Sequence, residues 1–336
     1  MGLVLVLAGT GCSDGSSSKP SATPSPSGSS SGSATPGTAS PGTASPGKAK
    51  MWKPVIGSRW QYQLSGNRAY PATGGVNVGI CAKPYGGTAC VRPQVFDIDL
   101  YADASVVGNN TTLNTAAVKA IHAMGAKAIC YIDAGSVEKG RADYRQFVEW
   151  DAAHGRSLIG RSYPGFPDEN YANINNDRGQ RDFMLRMQEA RVRKCVQAGF
   201  DGVEFDVVNA HEDGAKITGW NIGAGTQLVY NRALAAMAHR HGLAAGLKND
   251  LGQLAELAPL FDFAINEECW ENHDCDGLKA FVRAGKAVFG VEYKPSADSG
   301  DPLAFCRVAR SASWRFSTIK KGEDYDLRDT PYTPCR

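Results

Sequence analysis

From Met51 onward the chain alternates between short apolar runs and longer stretches where apolar residues recur every three or four positions. The first pattern predicts buried strands, the second amphipathic helices. The apolar runs fall at 60–64, 95–100, 128–133, 202–206, 244–248, 261–266, 287–291 and 315–319. Helical periodicity occupies 114–124, 181–198, 227–241, 251–257, 277–284 and 302–311. Turns such as His241-Gly242-Leu243 and Ala284-Gly285-Lys286 stand between helix and strand, where a glycine C-cap belongs. Eight strands with mostly helical crossovers predict a (β/α)₈ TIM barrel rather than an open sheet. The connection 135–180 is long and polar and reads as a functional or mobile loop.

The predicted strands end in polar residues. Two ends are acidic clusters: Asp201-Gly202-Val203-Glu204-Phe205-Asp206 and Phe263-Ala264-Ile265-Asn266-Glu267-Glu268. A carboxylate at the end of an apolar strand is costly unless it is paired or used. Further ends carry Asp97 and Asp99, Tyr131 and Asp133, Lys248 and Asn249, and Glu292 and Tyr293. In a barrel all of these converge on the C-terminal face, where active sites are built. Two carboxylates from different strands across one cleft are what glycoside hydrolysis requires, one to donate a proton and one to act as nucleophile or base. Asp206 and Glu267 are the expected catalytic pair. Strand alternation puts Glu204 on the same side as Asp206 and Phe205 on the other. Lys248 is expected to hold Asp206 ionised, while Trp270 and Tyr293 shield the glutamate. Asp97, Asp99, Tyr131, Glu204, Lys248, Asn249, Trp270, Glu292 and Tyr293 form the candidate substrate-binding set. Asp201, at the strand entrance, reads as a turn or cap residue.

Residues 13–50 are almost entirely Ser, Gly, Pro, Thr and Ala, with no aromatic side chain. Such a segment cannot bury enough surface to offset ordering and reads as a linker. Before it, Met1-Gly2-Leu3-Val4-Leu5-Val6-Leu7-Ala8-Gly9-Thr10-Gly11-Cys12 resembles the end of a lipoprotein signal, with Cys12 as the lipidated residue. The apolar run is short and lacks a basic leader, which a start placed too far downstream would explain. The expected organisation is thus a signal-like segment 1–12, a linker 13–50 and a barrel domain 51–336, secreted or held at the cell surface through Cys12. Eight further cysteines suit disulfides in an exported chain. Cys81 with Cys90, Cys269 with Cys275, and Cys306 with Cys335 suit local staples. Cys130, in an apolar strand, and Cys195, in a helix, suit buried thiols instead. No Cys-x-x-Cys pair exists and few histidines lie near the cysteines, so these spacings do not argue for zinc, and no cofactor is expected. The net charge of +2, with no dense basic block, argues against nucleic acid. No phosphate-binding loop or dinucleotide fingerprint is present. A monomer acting on a polysaccharide is the expectation.

The segment Gly199-Phe200-Asp201-Gly202-Val203-Glu204-Phe205-Asp206-Val207-Val208-Asn209 resembles the signature of glycoside hydrolase family 114. Asn266-Glu267-Glu268-Cys269-Trp270 resembles a second segment of that family. Trp60-Gln61-Tyr62-Gln63-Leu64, Cys130-Tyr131, Gly246-Leu247-Lys248-Asn249 and Val291-Glu292-Tyr293 match further strand ends in order. The resemblance implies a (β/α)₈ endo-α-1,4-polygalactosaminidase acting on galactosamine-rich exopolysaccharide. It implies Asp206 as nucleophile, Glu267 as acid/base and a retaining mechanism, with Asp97, Tyr131, Lys248 and Asn249 lining the sugar subsite. Phe205, Val207 and Phe200 depart from the family pattern, as does Tyr171-Ala172-Asn173-Ile174-Asn175. Phe200 stands where the family has a cysteine. The competing expectations are a non-catalytic carbohydrate-binding barrel and a glycosidase of another sugar specificity.

Overall fold

The computed structural model describes residues 51–295 and 300–336. Its strands are β1 (Trp60–Gln63), β2 (Val95–Asp99), β3 (Lys127–Asp133), β4 (Ser136–Glu138), β5 (Ile159–Tyr163), β6 (Phe166–Ala172), β7 (Gly202–Asp206), β8 (Ala244–Lys248), β9 (Phe263–Glu267), β10 (Ala287–Glu292), β11 (Ser317–Lys320) and β12 (Thr333–Pro334). Eight of them pair in parallel in the order β1-β2-β3-β7-β8-β9-β10-β11, and β12 adds antiparallel to β11. These eight are the strands expected from the apolar runs, each end within two residues. Helices Thr115–Ala123, Gln180–Ala198 and Ala224–Arg240 are the longer crossovers.

The C-terminal segment fills the seam between β11 and β1. The Leu64 amide donates to the Leu327 carbonyl at 3.0 Å, and the Gln61 side chain to that of Asp329 at 2.9 Å. The Tyr332 hydroxyl donates to the Trp60 carbonyl at 2.9 Å, while the Cys335 amide donates to Thr318 on the other side at 3.0 Å. The last strand's unpaired groups are thereby satisfied without direct pairing to the first.

Inward-facing residues form layers. At the bottom Trp60, Phe263 and Phe289 meet at ring-centroid distances of 5.2 and 5.9 Å, all fully buried. Bulky rings fit because alternate strands supply small residues: a Cβ on Gly246 would lie 2.4 Å from the Phe263 ring. Each such ring contributes roughly 1.5–3 kcal/mol by leaving water. Above this layer the interior turns polar, through Tyr62, Asp97 and Glu204, and ends at Asp206, Lys248 and Glu267.

The connection after β3 is not the bare loop expected. It holds a three-stranded antiparallel sheet, β4-β6-β5, and the helix Tyr144–Ala153. The polar faces of its strands hid their alternation: β5 and most of β6 are exposed or half-exposed.

Four disulfides join Cys81–Cys90, Cys130–Cys195, Cys269–Cys275 and Cys306–Cys335. The expectation of free thiols at Cys130 and Cys195 is corrected. Ile129 and Tyr131 of β3 face inward, so Cys130 faces out onto the helix Gln180–Ala198, and its Cα lies 6.0 Å from that of Cys195. Two cysteines at that separation are within bridging distance, so no third cysteine at position 200 is needed. This bridge closes the longest loop of the four, spanning 65 residues. Replacing both cysteines with alanine should cost about 2–4 kcal/mol in denaturant unfolding. A loss below about 1 kcal/mol would show that the packing of helix on strand suffices without it.

Candidate active site

The side chains at the upper ends of β7, β8 and β9 converge on one nitrogen. Lys248 is 3 % exposed, and its Nζ lies 3.0 Å from Asp206 Oδ1, 3.2 Å from Glu267 Oε2 and 3.6 Å from Glu204 Oε1. The three carboxylates raise its pKa well above the ordinary lysine value against the opposing effect of burial. The ammonium is therefore charged at any physiological pH. Its distances to Asp206 and Glu267 place those two oxygens no farther apart than their sum, 6.2 Å.

Asp206 is held as an anion. Burial pushes its pKa up, but the Lys248 charge outweighs this, aided by the Tyr131 hydroxyl, which donates at 2.8 Å, and the Val207 amide, which donates at 2.8 Å. The net result lies below the usual aspartate range. Glu267 sits differently. Its Oε1 meets the Tyr293 hydroxyl, and its backbone amide donates to Asn249 Oδ1 at 3.1 Å. The same oxygen of Asn249 takes a bond from the Asn266 amide at 3.1 Å, which fixes the ends of β8 and β9 relative to each other.

Below this layer lies a pair of buried acids. Asp97 and Glu204 are fully buried, and among the described residues no hydrogen-bond donor reaches either oxygen of Asp97. Burial, then the neighbouring Glu204, pushes Asp97 well above the carboxylate range. It therefore keeps its proton and can donate it to Glu204. Burial pushes Glu204 itself up to about 7, although Lys248 opposes this. The Tyr62 hydroxyl donates to Glu204 Oε1 at 3.1 Å. Neither acid reaches the cleft; Glu204 acts on it through Lys248 and Tyr62, and Asp97 through Glu204.

The cleft above has a volume of about 540 Å³, within the range of small-molecule sites. Asp99, Tyr131, Asp206, Lys248, Asn249, Glu267 and Tyr293 all line it, as expected from sequence. Asp99 is clamped by Arg141, with both guanidinium nitrogens 2.7 Å from its oxygens. Trp270 and Glu292 lie elsewhere. Tyr293 and Val291 face inward, so alternation turns Glu292 outward, where it accepts from the amides of Trp270 and Glu271 at 3.1 and 3.4 Å. Trp270 packs on Trp314 with ring centroids 4.8 Å apart. The shield on Glu267 is therefore Tyr293 alone of the two. Asp201 is structural: it accepts from Lys127 Nζ at 2.7 Å and from the Ala128 amide at 2.9 Å.

Other lining residues escaped the sequence reading. Tyr62, two positions after Trp60 in β1, could have been found by alternation. Glu138, Arg141, Tyr163, Phe166 and Glu169 come from the small sheet and its flanks, and Asp324, Tyr325 and Asp326 from the segment after β11. Nothing in their local pattern marks them. Tyr325 donates to Glu268 at 2.6 Å and packs at a tilt against Tyr293, ring centroids 4.3 Å apart, which builds one wall.

A barrel that brings two carboxylates from different strands to one open cleft, one of them held ionised, is the framework of a glycoside hydrolase. The model of glycoside-hydrolase family GH114 matches residues 41–336, and the chain belongs to that family. The protein is a glycoside hydrolase. Its fold is similar to that of Aspergillus fumigatus Ega3, solved in complex with galactosamine, with a TM-score of 0.62 and 22 % identity, over 84 % of this chain and 97 % of that one. It is also similar to the glycoside hydrolase domain of PelA from Pseudomonas aeruginosa, with a TM-score of 0.51 and 12 % identity, over 82 % and 96 % of the two chains. No curated protein matches the chain.

The buried acids give stability a pH dependence. Burial is the main cause that pushes Asp133 and Glu204 to about 7 and Glu292 to about 8. In the unfolded chain such groups titrate near 4, at roughly 3.9–4.3. Between these values the folded protein holds more protons than the unfolded chain, so stability falls as pH rises. Asp206, Asp143 and Asp262 are lowered, and their contribution is lost only in stronger acid, below about pH 4. The melting temperature should therefore peak near about pH 4 and decline toward about pH 7. Glu204→Gln should flatten that decline. A melting temperature that climbs steadily across the interval would contradict the assignment.

Proposed function

We propose that the chain is an endo-acting, retaining hydrolase of α-1,4-linked galactosamine-rich polysaccharide. The observation that carries this reading is the shared contact of Asp206 and Glu267 with Lys248, which keeps their nearer oxygens, Oδ1 and Oε2, within 6.2 Å of each other. Inverting pairs begin at about 6.5 Å to leave room for a water, whereas retaining pairs stand about 5–5.5 Å apart. In the first step an Asp206 oxygen bonds to the anomeric carbon while the glycosidic bond breaks and the leaving oxygen takes the Glu267 proton. In the second, water attacks the same carbon, gives its proton to the Glu267 carboxylate and releases Asp206.

Amino-sugar specificity is supported by the charge of the cleft. Among the described residues, Asp99, Glu138, Glu169, Asp206, Glu267, Glu268, Asp324 and Asp326 line it against only two cations, Arg141 and Lys248. Glu169 is pushed up to about 9, first by burial and then by Asp133 and Glu138. An ammonium group bound beside it would restore its charge and gain from doing so. Export is supported by the four disulfides, which persist in oxidising compartments. Attachment through Cys12, which lies outside the described residues, completes the reading. Detergent-dependent extraction of the wild type but not of Cys12→Ala tests that attachment, and equal extraction of both would refute it.

Deacetylated galactosamine polymer should be cut to oligosaccharides, with fully N-acetylated and neutral polymers cut far more slowly. NMR of the nascent product should detect the α-anomer. Asp206→Asn and Glu267→Gln should each lower kcat by about 10²–10⁴-fold or more with little change in KM. Full activity in either variant sinks the pair. Binding without cleavage by the wild type would instead favour a carbohydrate-binding barrel.

A further inference from the structure

Beside the cleft, the loops that leave β7 and β8 meet at a second cluster that the hydrolase reading does not use. The β7 loop brings His211 and Glu212, and the β8 loop brings Asp250. One donor atom from each lies within 4.8 Å of the other two. Asp250 is fully buried; its Oδ2 accepts from the Asn231 amide at 2.8 Å, but its Oδ1 has no hydrogen-bond partner among the described residues. That oxygen faces His211 Nε2 at 3.9 Å, too far for a hydrogen bond. The other ring nitrogen, Nδ1, is also buried without a partner. Buried polar atoms left unpaired are costly, and Asp250 and His211 each carry one while approaching each other from different loops.

The carboxylates are oriented from behind, as metal ligands are. Asn231 holds Asp250, and the Asn209 amide donates to Glu212 Oε2 at 2.9 Å. We propose that His211, Glu212 and Asp250 bind one divalent first-row cation, best represented by Zn²⁺, with water completing its coordination. One imidazole and two carboxylates suit such an ion, whereas calcium and magnesium favour oxygen alone. Bonds of about 2.0–2.2 Å put donors in a tetrahedral site roughly 3.3–3.6 Å apart, so His211 and Asp250 need close by only a few tenths of an ångström. Two carboxylate charges balance the ion.

The ion touches no substrate. It clips the loop that starts directly after Asp206 to the residue two places beyond Lys248, and so positions Asn209 and Asn249, both of which line the cleft. This inference is independent of the sugar specificity proposed above. Its test uses the intact protein, stripped with chelator, re-equilibrated with ZnCl₂ and desalted. Elemental analysis should find one zinc per chain. Zinc at a hundredfold excess over its Kd should raise the melting temperature by about 5 °C. His211→Ala should abolish both effects, and Glu212→Gln should weaken affinity at least tenfold. His239→Ala, at a surface His–Asp pair, should change neither. If Asp250→Asn fails to fold, the His211 and Glu212 variants still decide. Equal zinc content in wild type and His211→Ala, or a response to calcium or magnesium but not to zinc, would overturn the proposal.

Discussion

The upper layer of the barrel depends on one buried ammonium. Lys248 is 3 % exposed and stands within 3.6 Å of three carboxylates that project from β7 and β9. Without it, Glu204, Asp206 and Glu267 would face one another across a water-poor space, and their mutual repulsion would force protonation or movement. With it, the side chains at the ends of three hydrogen-bonded strands are held together at ion-pair distances. A buried ion pair is weak evidence for net stability, because desolvation consumes much of the Coulomb gain. Its value here is geometric, since it keeps Asp206 and Glu267 close to one another and holds Asp206 as an anion.

The acids beneath serve the same end. Asp97 and Glu204 lie too deep to meet solvent, and burial pushes both above the ordinary carboxylate range. The lysine therefore has few full charges to serve from below and spends its field on Asp206 and Glu267. Lysine, aspartate and glutamate are rarely buried unless paired, and here each one's burial is tolerated because of the others.

Backbone strain frames the same strand ends. Val207, Asn249 and Glu268 follow the last residues of β7, β8 and β9, and all three adopt left-handed φ angles of 56°, 50° and 62°. For a β-branched valine this is a costly conformation, on the order of 1–3 kcal/mol. It persists because neighbours over-determine it: the Val207 amide bonds to Asp206, and its carbonyl abuts Gly135 so closely that a Cβ there would lie 1.7 Å away. Each left-handed turn ends a strand abruptly and leaves the preceding side chain aimed into the cleft.

How much of this was legible in the sequence follows from the range of the interactions involved. Strand positions are local: apolar runs with period-two alternation mark them, and all eight barrel strands lie where those runs lie. Alternation likewise determined that Glu204 and Asp206 share a side, and the strand-end carboxylates marked Asp206 and Glu267 before any geometry was known. Alternation applied to β10 would also have turned Glu292 away from the cleft. Only the tertiary structure decided the rest. The bond between Cys130 and Cys195 depends on which helix covers β3, and the cleft walls from 138–169 and 324–327 come from segments whose local pattern is polar and unremarked. The depth of Asp97 and the placement of Trp270 against Trp314 depend on packing across the barrel. These are contacts between residues far apart in the chain, and periodicity carries no information about which distant partner fills the space beside a given side chain.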